Sequence, residues 1–524
     1  LKFWSLSGEG SSNCPSLGEE TEALLGSLCV KKAKEGFFMA VSIAGLRDFA
    51  SRSFELIKDS MLQSDSLPLA DVLDCQQWRD IFEAHKISFG QDDDSVYTPA
   101  VTLWALISQV FFKGELRSCK AAVGRIASLW ATLGRTVCST NTGAYCRARA
   151  KLGWQAIRAI CCQIAETAET LFDPQTAAVE CKQHPSVAAV QAKQTSGRVL
   201  LVDGFTVTAS DTPENQAVFP QNPAQLAGLG FPIIRGVSLI SLVTGLLVDL
   251  SLGPYAGKQS GETALLWPML GRLKRGDTLV ADCFYCTYWI VAACQLQGVQ
   301  IVMKNHDKRD NRPRGARRLD RYQRTTVWLR PQRPRWMSAE QYAQCPAQIE
   351  VRLVDIKIQT PGFRAKQHTL ATTILETDVF SRDWLANVYR SRWLVELDIR
   401  AIKCSLGMDL IRAKSPELVQ TEIWSCLLAY NLIRLKMLQS SSASGRMPRT
   451  LSFTATQQLL ANNWLLGAIL LTPDLVELGQ QTGVSQCIGS RPDRIEPRAN
   501  KRRPKLLALL NKPRPIAIQE LLST

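Results

Sequence analysis

Histidine is nearly missing from the 524 residues: His85, His184, His306 and His368 are all there are. None stands in a nucleophile motif, so a hydrolase built on a Ser–His or Cys–His pair has no support. Zinc spacing is missing too. Cys283-x2-Cys286 has no second pair and no His-x3-His beside it, and the two read as small buried thiols. Gly253-x3-Gly257-Lys258-Gln259 is one residue short of a phosphate loop and lacks the Ser or Thr that would hold Mg²⁺, which argues against an ATPase. The longest uncharged apolar stretch, Gly236 to Val248, is too short for a bilayer and is bounded by Arg235 and Asp249. No secretory leader precedes the sixteen scattered cysteines, so reduced thiols in a cytosol are expected rather than a disulfide framework. No repeat with a period of roughly 20 to 50 residues is visible. Residue 1 is Leu rather than Met, which points to an unusual start codon or an incomplete reading frame.

What is present is a globular composition. Hydrophobic residues make up 46%, enough for one large core or several smaller ones, and wholesale disorder is excluded. The net charge is +15, and it is local. Lys304 to Arg335 holds twelve Lys or Arg against three Asp, and Arg491 to Arg514 holds nine against two acidic residues, so these segments carry all of it. Cations interleaved with Tyr322, Trp328 and Trp336 suit a polyanion: charge for phosphates, rings for exposed bases. Solvated loops are the plainer alternative.

Residues 1–95 mix short helical patterns with polar breaks and remain unassigned. Helical spacing then covers Val101 to Phe112, Leu116 to Leu133 and Ala144 to Phe172, punctuated by Gly114 and Gly134, and defines a helical domain over 96–175. Its Arg147, Arg149 and Lys151 could meet DNA or be plain helix surface. The Gln- and Ala-rich stretch over 176–198 reads as a linker. From Val199 the pattern changes: a strand to Asp203, then a hairpin of Gly236 to Val243 and Leu246 to Leu252 around Thr244-Gly245. A helix at Glu262 to Lys274, a strand at Thr278 to Asp282, a helix at Tyr288 to Gln297 and a strand at Val299 to Lys304 follow. The order β-β-β-α-β-α-β predicts a mixed α/β sheet carrying helices. Beyond the basic segment, strands at Gln348 to Thr360 and His368 to Leu375 precede long helices from Asp383 onward.

In the helix starting near Asp383, Tyr389, Arg392, Glu396 and Lys403 fall near 0°, −60°, −20° and −40° at about 100° per residue. Arg400 joins this stripe. Trp393, Leu394, Val395, Leu397, Ile399 and Ile402 around it predict a largely buried helix, whose carboxylate and cations form either an ion-pair network or a site. Asp203 and Asp282 each end an apolar strand, where ligands gather on covered sheets, although a lone Asp there is commonly a turn former. With Glu396 they make a three-carboxylate set able to hold two Mg²⁺ ions.

Tyr389-x2-Arg392-x3-Glu396-x6-Lys403 resembles the YREK signature of DDE transposases of the bacterial insertion-sequence-4 type. Asp203-Gly204-x-Thr206 with Asp211-Thr212-Pro213-x-Asn215 resembles that family's first catalytic Asp region, and Gly276-Asp277-x3-Ala281-Asp282-x-Phe284-Tyr285 its second. The tail from Arg494 to Lys505 is similar to the family's C-terminal text, so the resemblance spans about residues 95–515.

The resemblance implies a ribonuclease-H-like DDE catalytic domain over 199–435 with a β-rich insertion at about 305–375, and a helical C-terminal region with a basic tail over 436–524. It implies that Asp203, Asp282 and Glu396 ligate two Mg²⁺ or Mn²⁺ ions for strand cleavage and strand transfer. Tyr389, Arg392 and Lys403, with Arg400, would grip phosphates beside a hairpin end, and Trp328 or Trp336 would stack a flipped base. Partners would be terminal inverted repeats, target DNA and a second copy of the chain, in the nucleoid of a bacterial cytoplasm. A catalytically silent DNA-binding relic or inhibitor is the alternative, and a sequence-nonspecific nuclease a third reading.

Overall fold

The computed structural model describes residues 75–90, 95–112, 114–132, 138–171, 197–358, 366–444, 446–470 and 511–523. Most of the linker, Gly134 and the basic tail up to residue 510 lie outside these residues, as does the N-terminal region up to residue 74.

Helices come first: α1 (Cys75–Ala84), α2 (Pro99–Phe111), α3 (Cys119–Thr132), α4 (Thr142–Leu152) and α5 (Trp154–Leu171). Thr98 caps α2 by accepting from the Val101 amide at 3.2 Å, and Pro99 opens its first turn, where a missing N–H costs nothing. The single helix expected over Ala144 to Phe172 is two. Gly153 between α4 and α5 has φ +67°, a left-handed conformation that favours glycine and ends a helix.

One nine-stranded sheet follows, in the order β3-β2-β1-β4-β5-β9-β8-β7-β6. Its strands are β1 (Val199–Thr208), β2 (Ile233–Ser241), β3 (Leu247–Pro254), β4 (Thr278–Ala281) and β5 (Gln300–Lys304), then β6 (Arg317–Arg318), β7 (Gln323–Leu329), β8 (Gln348–Ile358) and β9 (Lys366–Thr372). β1 to β3 form an antiparallel meander, while β4 and β5 run parallel to β1. The expected strand order is present. β9 pairs antiparallel with β5, so the insertion extends the same sheet. The helix expected over Glu262 to Lys274 is only α6 (Glu262–Leu266) followed by a tighter 3₁₀ segment, Trp267–Arg272, which contains Pro268 and so lacks one helical donor.

Apolar side chains fill both faces. Leu200 and Val202 of β1 pack with Leu265, Leu266, Tyr285 and α7 (Tyr288–Leu296) in one core. Leu201 and Phe205 face the other core with α2, α5 and the helices beyond the insertion. Those helices are α8 (Arg382–Ser391), α9 (Trp393–Arg400), α10 (Pro416–Ser444) and α11 (Phe453–Leu470). Buried Asn431 of α10 joins three elements: its Oδ1 accepts from the Leu247 amide at 2.8 Å and its Nδ2 donates to the Leu247 and Cys161 carbonyls. Among the described residues no helix is long and apolar enough to cross a membrane.

Candidate active site

Parallel pairing sets the first two carboxylates side by side. Leu200 and Leu201 register with Leu279 and Val280, and two residues on, Asp203 and Asp282 stand at neighbouring positions. Asp203 belongs to the face that packs on α9, and α9 supplies Glu396. Arg392 lies at the joint between α8 and α9. Its guanidinium reaches Asp203 Oδ2 at 3.3 Å and Glu396 Oε1 at 2.8 Å. Asp203 Oδ1 accepts from the Gly204 amide at 2.9 Å, and Asp282 Oδ1 from the Phe284 amide at 2.8 Å. Arg392, Asp203 and Glu396 are therefore in contact, with Asp282 at the neighbouring strand end.

The charges act on one another. Burial pushes the Asp203 carboxyl up to about 6 from the usual 3.8; Arg392 and the Gly204 amide pull against this, and the charges of Glu396 and Asp282 add to the rise. Among the described residues no three metal-binding side chains already stand at ligating distance, and Arg392 bridges two of the carboxylates instead. The donor set nevertheless fits a hard divalent cation: Asp203 and Glu396 share one guanidinium, Asp282 stands at the neighbouring strand end, and among the described residues no second cation pairs with the three carboxylates.

The rest of the stripe is less regular than a straight helix allows. α8 ends at Ser391, and after α9 residues Ala401–Ser405 make a wider π turn, with the Leu406 amide donating to the Ala401 carbonyl. Lys403 still reaches β1, its Nζ donating to the Thr206 carbonyl at 2.8 Å. Tyr389 is buried edge-on to His368, and burial pushes its hydroxyl up to about 12. Arg400 is exposed. The helix is not buried all round as expected: Trp393 and Leu397, one turn apart, are 53% and 44% exposed. Trp328 and Trp336 are not assembled with these residues. Arg309 stacks on the Trp328 ring with its guanidinium carbon 3.8 Å from the centroid, and Trp336 meets Trp267 edge-on at 5.2 Å. Cys283 is half-buried and Cys286 buried, and every described cysteine is a free thiol.

Two motif residues serve the frame. Thr212 donates to the Lys414 carbonyl at 2.8 Å, and buried Asn215 donates to the Ser210 and Ala413 carbonyls, tying the loop after β1 to the chain beyond the π turn. The spacing did not reveal Asp398, fully buried in α9, whose oxygens take Arg434 at 2.5 Å and Arg449 at 2.9 Å. Arg449 also donates to the carbonyls of Ser241 and Leu242, which fastens α9 to β2.

Comparisons with known proteins cover the same stretch of chain. Residues 194–432 match the family described as the transposase DDE domain. This match and the relatives that follow indicate a DNA-cleaving, strand-transferring enzyme of the DDE class, of the insertion-sequence-4 type. It is 26% identical over 323 residues to the transposase InsG for insertion sequence element IS4 of Escherichia coli (strain K12), covering 58% of this chain and 68% of the relative. It is also 40% identical over 76 residues to the transposase for insertion sequence element IS421 of Escherichia coli, 14% of this chain and 20% of that one. A solved piggyBac transposase synaptic complex with hairpin DNA aligns over 83% of this chain and 84% of its own, at 10% identity and a TM-score of 0.38, too loose a likeness to carry weight.

Proposed function

We propose that the chain moves an insertion sequence by cut-and-paste transposition, with Asp203, Asp282 and Glu396 holding two Mg²⁺ or Mn²⁺ ions on a ribonuclease-H-like core. The observation that supports this best is the Arg392 guanidinium joining Asp203 of β1 to Glu396 of α9, with Asp282 at the strand end beside Asp203. The β3-β2-β1-β4-β5 order, antiparallel then parallel, supports the choice of core. When bound, divalent ions supply a more acidic attacking water or 3′ hydroxyl and stabilise the leaving 3′ oxygen.

The chain's own residues do the positioning. Gly204 and Phe284 amides hold one oxygen each of Asp203 and Asp282, which leaves the second oxygens, that of Asp203 beside Arg392, for the divalent ions. Arg392 and Lys403, with exposed Arg400, grip the DNA backbone beside the scissile bond, and Tyr389 backs Arg392 from the buried side. The substrate is the element's own terminal inverted repeats, bound by a homodimer that then joins the ends to target DNA in the nucleoid of a bacterial cytoplasm.

The test is Mg²⁺-dependent cleavage of duplex DNA bearing the repeats that flank the gene, comparing the wild type with Glu396→Gln. Cleavage at the repeat boundary by the wild type alone is expected. Binding without cleavage by the wild type would favour a silent DNA-binding relic, and cleavage indifferent to the end sequence a nonspecific nuclease.

A further inference from the structure

Successive residues of a strand point to opposite faces, so Gly204 turns its absent side chain away from the face of Asp203, toward Tyr285 and α6. Glu262, the first residue of α6, fills that space. A Cβ at position 204 would stand 2.5 Å from the Glu262 Cδ and Oε1, so its carboxylate lies directly against the Asp203–Gly204 backbone. Any larger residue at 204 would displace it.

Glu262 is also held. Its Oε2 accepts from the hydroxyl of Tyr285 at 3.0 Å, and Tyr285 is fully buried. Burial drives that hydroxyl far above the usual phenol range, and the charges of Glu262, Asp203 and Asp282 add to the rise, so it stays a donor. Among the described residues Glu262 forms no ion pair, nor does Asp282, whereas Arg392 serves Asp203 and Glu396. Glu262 is thus a half-buried carboxylate with one oxygen fixed and, among the described residues, no counterion, which leaves it able to accept a cation.

We propose that Glu262 is a fourth carboxylate of the metal site, reaching it from the sheet face opposite Asp203, with Tyr285 as its positioning residue. This rests on the reading that Asp203, Asp282 and Glu396 hold divalent ions. Glu262→Gln keeps the shape and an acceptor for Tyr285 but removes the charge, which separates a metal role from a packing role.

The measurement is Mn²⁺ binding to the full chain, followed by the electron paramagnetic resonance signal of the free ion, with metal-free thermal melts beside it. Glu262→Gln is expected to weaken Mn²⁺ binding about tenfold with no loss of metal-free stability, and Asp203→Asn to weaken it at least as much. If Glu262→Gln binds Mn²⁺ as the wild type does while Asp203→Asn loses it, this proposal is overturned and the three-carboxylate reading stands. If Asp203→Asn also binds normally, that reading itself fails. Should Glu262→Gln not fold, Glu262→Asp retracts the carboxylate by one methylene; weakened binding supports the proposal and unchanged binding overturns it.

Discussion

Glu396 and Asp398 stand two residues apart on α9, and their surroundings differ in the ratio of cations to carboxylates. Asp398 has two guanidiniums to itself, Arg434 and Arg449; further donors of Arg449 go to the Ser241 and Leu242 carbonyls and those of Arg434 to the Tyr430 hydroxyl and the Met437 sulfur. Around Glu396 the ratio is reversed: Arg392 serves both Glu396 and Asp203, and among the described residues Asp282 forms no ion pair. A cluster with its charges matched and its hydrogen bonds filled is sealed, and it holds the fold. One with carboxylates in surplus remains open to positive charge from outside, and chemistry can be done there.

The comparison breaks most visibly if Glu396→Gln retains activity. The expected loss is about 1000-fold or more in the rate of DNA strand cleavage, with the unfolding temperature unchanged, because the deficient cluster serves catalysis rather than stability. Cleavage within tenfold of the wild type, measured on end-bearing duplex, would sink the assignment. Next comes Asp398→Asn, which leaves two buried guanidiniums without their anion. Urea unfolding should show a loss of about 3–5 kcal/mol; a loss below about 1 kcal/mol would mean the cluster is not the rivet it resembles.

A smaller effect of opposite sign is expected at Asp203. Its folded value is raised to about 6 from 3.8, chiefly by burial, so between these values the native state binds more protons than the unfolded chain. Stability contributed by the protonated form is therefore full below about pH 4 and is lost as pH climbs through 6. Asp203→Asn should stabilise the metal-free protein by about 1–2 kcal/mol at pH 7.5 and by nothing at pH 4. Melts at both pH values check the sign, and a uniform gain would refute it. Least of all, Lys403→Ala should change stability by under about 0.5 kcal/mol. It should also lower the slope of log affinity against log salt for end DNA by about one.

How far these clusters could be read from sequence depends on the distance over which each is assembled. The strand order was legible because each apolar run is short and bounded, and Gly245, with φ +75°, makes the turn that Thr244-Gly245 announced. Arg392 and Glu396 are four residues apart and meet as helical spacing requires. Apolar periodicity runs straight through Gly153 and Pro268, so the breaks there escaped it. Trp393 and Leu397 were expected inside because an apolar side chain beside a charged stripe reads as core, yet both line the open side of α9. Asp398 finds its arginines 36 and 51 residues away, and nothing local distinguishes it from a surface aspartate. Glu262 meets Gly204 only because α6 folds back over β1.

The Asp398 rivet also bears on how copies of such a gene lose function. Its second arginine, Arg449, lies 46 positions beyond Lys403, the last residue of the signature. A reading frame interrupted between them keeps Asp203, Asp282, Glu396 and every signature residue, but deprives the helix carrying Glu396 of its anchor to β2. A copy with an unblemished motif can thus be dead, and a census of mobile copies by motif alone counts such casualties as live.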